Sequence, residues 1–145
     1  MDAIVADGLT KYFGEFLAVD QVGFRVRQGE IFGFLGPNGA GKTTTIRMLT
    51  TLTRPTEGTA RVAGFDVLKE PLRAKQHFGV VPEVSNVYDE LSVWDNLMFA
   101  GEIYGMPKSV RRRRSEELLS LLALVEHRAK KARNLSKGLK RKLVL

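Results

Sequence analysis

Residues 36–43 read Gly-Pro-Asn-Gly-Ala-Gly-Lys-Thr, and they follow directly on the apolar run Ile31-Phe32-Gly33-Phe34-Leu35. The pattern is G-x-x-x-x-G-K-[ST], and each part of it has a physical reason. The apolar run predicts a buried strand. Gly36, Gly39 and Gly41 let the backbone curl so that successive N–H groups point inward at an anion, with Pro37, Asn38 and Ala40 completing the loop. A helix predicted from Thr43 to about Leu52 adds the partial positive charge of its N-terminus. Lys42 brings an ammonium to the β- and γ-phosphates of a nucleotide. The Thr43 hydroxyl is a ligand for the Mg²⁺ that bridges them. Strand, glycine-rich turn and helix in this order are the setting of a phosphate-binding loop.

The flanking sequence divides into two textures. Before about residue 82, β-branched residues and glycines dominate. Val22, Phe24 and Val26 alternate with Gly23, Arg25 and Arg27, the period of a strand with one buried face. Thr59-Ala60-Arg61-Val62 alternates again and stops at Gly64. His77-Phe78-Gly79-Val80-Val81 is a short apolar run closed by Pro82, which predicts a further buried strand. From Ser92 the period becomes helical. Ser92 is an N-cap with Asp95 three residues on, and Val93, Leu97, Ala100 and Tyr104 fall on one face. Gly105-Met106-Pro107 ends that helix. A second is predicted from about Ser109 to Val125 with Leu118, Leu122 and Val125 inward, and a third starts at Ser136. The order predicts an α/β fold, a parallel-sheet P-loop core followed by an all-helical segment, with boundaries at 1–84 and 85–145.

Composition narrows the function. The chain has 145 residues, 43% of them hydrophobic, enough for a core, and no cysteine. No apolar run approaches membrane-spanning length. The net charge is +7, but residues from Lys108 onward hold thirteen Lys and Arg against three Glu, a net of +10. Such a basic third suits nucleic acid, anionic lipid or a solvated helical face. The basic residues lack the interleaved aromatics of single-strand binders, so no nucleic acid is expected. A different P-loop enzyme, such as a small-molecule kinase, would need a lid with catalytic arginines, and only Arg111 to Arg114 offer one.

Further motifs extend the reading. Thr10-Lys11-Tyr12-Phe13-Gly14 precedes the loop, as does Gly29-Glu30-Ile31-Phe32-Gly33. Val80-Val81-Pro82-Glu83 and Leu135-Ser136-Lys137-Gly138-Leu139-Lys140 follow it. Taken in order, these resemble the ATP-binding subunit of an ABC transporter over nearly the whole chain. Leu49 to Gly64 is similar to the exporter branch associated with daunorubicin-type drug resistance. The resemblance implies a P-loop NTPase core with an N-terminal β subdomain and a C-terminal all-helical subdomain, truncated. It implies that Phe13, with Tyr12 second, stacks on adenine, and that Thr44 continues the phosphate contacts. Ser136 and Gly138 then belong to the signature, which in the family binds the γ-phosphate of ATP held by another subunit. Glu83 stands at the Q-loop as a metal ligand beside Thr43. ATP and Mg²⁺ are the implied ligands. A second ATP-binding subunit, in a head-to-tail dimer, and a transmembrane subunit are the implied partners. The place implied is cytoplasmic, peripheral on the inner face of the cell membrane.

Three departures matter. Glu83 replaces the usual glutamine, and Lys137 replaces the first signature glycine. The family's Walker B strand, catalytic glutamate and switch histidine lie after the signature, and the 145 residues do not contain them. Leu121 to Glu126 is no substitute, since its inward positions have helical spacing. His77 and His127 match no motif and are expected to be structural. The full subunit is expected to be an ATPase, and the 145-residue chain alone to bind ATP·Mg²⁺ without hydrolysing it.

Overall fold

The computed structural model describes residues 1–82 and 86–145. It divides into two compact units, Met1–Val80 and Val81–Leu145.

The first unit is built on an antiparallel sheet in the order β2-β1-β3-β4. Strands β1 (Asp2–Phe13) and β2 (Phe16–Arg27) form a long hairpin, followed by α1 (Lys42–Leu49), β3 (Glu57–Val62), β4 (Phe65–Asp66) and α2 (Pro71–Lys75). The expected alternation in β2 is present, with Val26 buried and Arg25 and Arg27 exposed. Helix α1 packs Met48 and Leu49 on the sheet against Leu9, Val19 and Ala60. Complete burial of Leu9 and Met48 stabilises the unit by about 1.5–3 kcal/mol each. Asp66 ties β4 to the turn before α2. It accepts from the N–H groups of Leu68 (2.8 Å) and Lys69 (3.0 Å) and from the Thr59 hydroxyl (3.0 Å). Burial alone would raise its pKa, but these hydrogen bonds and the Lys69 charge outweigh burial and hold it below the ordinary value.

Two expected strands are absent as such. Ile31–Leu35 and His77–Val81 carry no ladder among the described residues. Ile31–Leu35 still alternates. Phe32 stacks on Phe24 at 5.2 Å and Phe34 lies 5.5 Å from the same ring, while Ile31 and Leu35 are 100% and 94% exposed. Phe32, Phe34 and Phe78 line an apolar cavity of about 390 Å³ with Ile4, Val26 and Ile46. The residues have the pattern of a doubly buried strand, but a parallel strand forms only where a neighbour supplies its hydrogen bonds. The described sheet is wholly antiparallel.

The second unit contains α3 (Val93–Ile103), α4 (Lys108–Leu121), two short 3-10 turns (Val125–His127 and Ala132–Asn134) and α5 (Lys137–Val144). Ser92 caps α3 as expected, accepting from the Asp95 N–H at 3.0 Å. Val93, Leu119, Leu124, Ala132, Leu135 and Leu143 form the core. Two expectations fail. Ala100 and Tyr104 are exposed rather than inward. Helix α4 ends at Leu121, and Val125 is exposed on a 3-10 turn. Ala123 takes a left-handed conformation (φ 53). Its N–H bonds Ser120 O (3.2 Å), and the Leu124 N–H bonds Leu119 O (2.8 Å). This is a Schellman stop, with Leu124 and Leu119 both buried in the same core.

Asn96 is buried and fastens the segment before α3. Its amide accepts from the Tyr88 N–H (2.8 Å) and donates to the carbonyls of Tyr88 (3.1 Å) and Ser92 (2.9 Å). No helix among the described residues is long and apolar enough to cross a membrane.

Candidate functional site

Residues 36–43 form a turn that opens α1, as expected. The glycines differ in need. Gly39 (φ 84) and Gly41 (φ 77) occupy the left-handed region, where a side chain is strained. Gly41 is also confined sterically. A Cβ there would lie 2.5 Å from Ala18 O and 2.9 Å from Val19 Cγ2. Gly36 has neither constraint.

The first helical hydrogen bond of α1 runs from the Thr45 N–H to Gly41 O at 2.8 Å. The N–H groups of Lys42, Thr43 and Thr44 come before it, and no side chain caps them. Uncapped N–H groups at a helix start, with no acidic residue in the first turn, leave donors that an anion can use. Lys42 folds back over the loop, donating from Nζ to Gly36 O (2.7 Å) and Pro37 O (2.6 Å). An incoming phosphate can take over these bonds with a charged acceptor, a stronger partner than a neutral carbonyl. Thr43 is exposed, leaving its hydroxyl free to reach a metal. Thr45, which sequence reasoning passed over, is 1% exposed and anchors the helix start, its hydroxyl donating to Gly41 O at 3.0 Å.

Phe13 lies at the tip of the β1–β2 hairpin, paired with Phe16. Its ring is 52% exposed, with the Lys11 ammonium 5.2 Å from the centroid. The Gly41 backbone rests against Ala18 and Val19 of the same β2 strand. The β1–β2 hairpin therefore carries both the aromatic tip and the wall behind the phosphate loop. Adjacent side chains in a strand point to opposite faces, so Phe13 and Tyr12 cannot both serve one ligand.

Ser136 and Gly138 belong to the second unit, at the start of α5. The Ser136 hydroxyl accepts from the Leu139 N–H at 3.3 Å. Lys137 takes the first helical position without a left-handed φ, so its replacement of glycine causes no strain there. Glu83 lies outside the described residues. His77 is tied down, its Nδ1 on Arg73 O at 2.8 Å and its ring 4.9 Å from Phe65.

Residues 19–145 match the family model of the ABC transporter. The chain belongs to that family. The doxorubicin resistance ATP-binding protein DrrA of Mycobacterium tuberculosis is 41% identical over 143 residues, 97% of this chain and 43% of that protein. The Nod factor export ATP-binding protein I of Ralstonia nicotianae is 40% identical over 96% of this chain and 43% of its own. The linearmycin resistance ATP-binding protein LnrL of Bacillus subtilis is 38% identical over 95% and 44%. The chain thus spans under half the length of these relatives. A solved ATP-binding subunit of an ABC transporter superposes with a TM-score of 0.81 at 28% identity, covering 98% of this chain and 59% of that one. CbiO1 of Clostridium perfringens gives 0.87 at 19% identity, covering 99% and 59%, a likeness of fold alone. Over the part that it spans, the chain has the ABC ATPase fold.

Proposed function

We propose that this chain binds ATP·Mg²⁺ as the N-terminal part of a transporter ATPase subunit that powers export across a membrane. The observation that carries the reading is the uncapped start of α1 beneath the folded-back Lys42. Phosphates take the N–H groups of residues 39–44 and the Lys42 ammonium, and Phe13 stacks on the base. Thr43 and Glu83 would be the protein ligands of Mg²⁺. A bound Mg²⁺ would supply charge neutralisation at the phosphates.

Ser136, Gly138 and the N–H groups at the start of α5 receive the γ-phosphate of nucleotide bound to a second ATP-binding subunit, in a head-to-tail dimer. The transmembrane subunit selects the cargo. The relatives named for drug resistance and for Nod factor export support an exporter. The protein works at the inner face of the cell membrane.

Hydrolysis needs a group that orients water. The 145-residue chain has no acidic strand after its signature to provide one, so alone it holds nucleotide without turning it over. Calorimetric titration with ATP·Mg²⁺, paired with a phosphate-release assay, tests both halves. Saturable binding without turnover is expected. Turnover abolished by Lys42→Ala would overturn the second half, and absence of binding the first.

A further inference from the structure

We propose that the tip of the α3–α4 hairpin is a contact for the headgroup region of an anionic lipid bilayer, made by Ile103, Tyr104, Lys108 and Arg112. This goes beyond the nucleotide-binding reading and does not depend on it.

The apolar part of the patch is held on a fixed backbone. Ile103 and Tyr104 are 62% and 86% exposed. The turn after them is closed by the N–H groups of Gly105 and Met106, which bond Glu102 O and Gly101 O at 2.9 Å each. The two helices pack closely beside it. A Cβ on Gly101 would lie 2.8 Å from Arg111 Cγ, so the Arg111 stem lies across that glycine. The Arg111 guanidinium then reaches Glu102 at 2.6 Å.

The charged part is selective. Arg111, Arg113 and Arg114 of α4 each have an acidic partner, Glu102 or Glu117. Lys108 and Arg112 are exposed and have none among the described residues. Four residues apart, they share one helix face, where like charges repel. An anionic surface relieves that repulsion. Tyrosine has an apolar body and a polar tip, and it concentrates at the headgroup level. Long basic stems cover apolar surface while their charges reach lipid phosphates. A free anion has no use for exposed Tyr104 and Ile103, so a bilayer suits the whole patch better. Two cations and one aromatic make a weak, reversible, salt-sensitive contact, each cation strengthening it about fivefold.

Co-sedimentation of the 145-residue chain with vesicles tests this. Binding is expected to phosphatidylcholine–phosphatidylglycerol mixtures and not to phosphatidylcholine alone, and it should fade as salt rises. Lys108→Glu/Arg112→Glu should weaken it about 30-fold or more, and Tyr104→Ser a few-fold, with ATP·Mg²⁺ binding unchanged. Lys130→Glu/Lys142→Glu makes the same change in net charge elsewhere and should cost far less. If charge reversal disturbs melting, Lys108→Gln/Arg112→Gln gives the same reading with a loss of about 25-fold. The proposal is overturned if the mixed vesicles are not bound, or if the two charge-reversed pairs weaken binding equally.

Discussion

Two helix starts in this molecule face the same electrostatic situation and meet it differently. Both α1 and α5 present unpaired N–H groups and the positive end of a helix dipole. At α5, the Ser136 hydroxyl takes up the Leu139 N–H, a side-chain cap of its own. At α1, a left-handed glycine stands in the cap position and no side chain serves. Beside it, Lys42 is bonded to carbonyls of its own loop. The first start is left open for an outside anion, while the second is stable without one. The difference is the one expected if, as proposed, the loop binds nucleotide on its own and the second start meets nucleotide brought by another chain.

Substitutions can break or sharpen this contrast. The largest effect is expected from Gly41→Ala. The left-handed φ and the 2.5 Å approach to Ala18 O together destabilise the first unit by about 3 kcal/mol or more, read as a lowered melting temperature with loss of nucleotide binding. Lys42→Ala should leave melting nearly unchanged and weaken ATP·Mg²⁺ by about 10–100-fold, since it removes charged hydrogen bonds made to the ligand. Ser136→Ala should do the reverse. It costs the second unit about 1 kcal/mol in denaturant unfolding and leaves nucleotide binding by the single chain within about twofold, an effect under ~0.4 kcal/mol.

The smallest effect separates the units by acid. The folded pKa of Asp66 lies below its ordinary value of 3.8, so its contribution is full above that value and lost as pH falls through the folded one. Asp66→Asn should therefore flatten the acid side of the first unit's stability profile and leave the second unit's unchanged. Circular dichroism melts across the acid range would show whether it does.

The sequence was most legible where structure is local. The phosphate loop, the alternation in β2 and the Ser92 cap each depend on a few neighbouring residues, and each is present. The Ile31–Leu35 strand depends on a distant partner, and its residues keep only the alternation. The end of α4 was hidden for another reason. The same Schellman stop closes α3 with Gly105, which the sequence announces, but closes α4 with Ala123, which it does not. Helical periodicity put Tyr104 inward because period names a face and not what covers it. Asn96 and Thr45 escaped notice because buried polar groups show their value only through partners.

Titration of the wild-type chain and the Lys42→Ala variant with ATP in Mg²⁺, each alongside a thermal melt, tests the central claim most directly. Saturable binding by the wild type is expected, lost or strongly weakened in the variant at an unchanged melting temperature. Equal affinity in the two proteins would contradict it, because the open start of α1 and its lysine would then not be the nucleotide site.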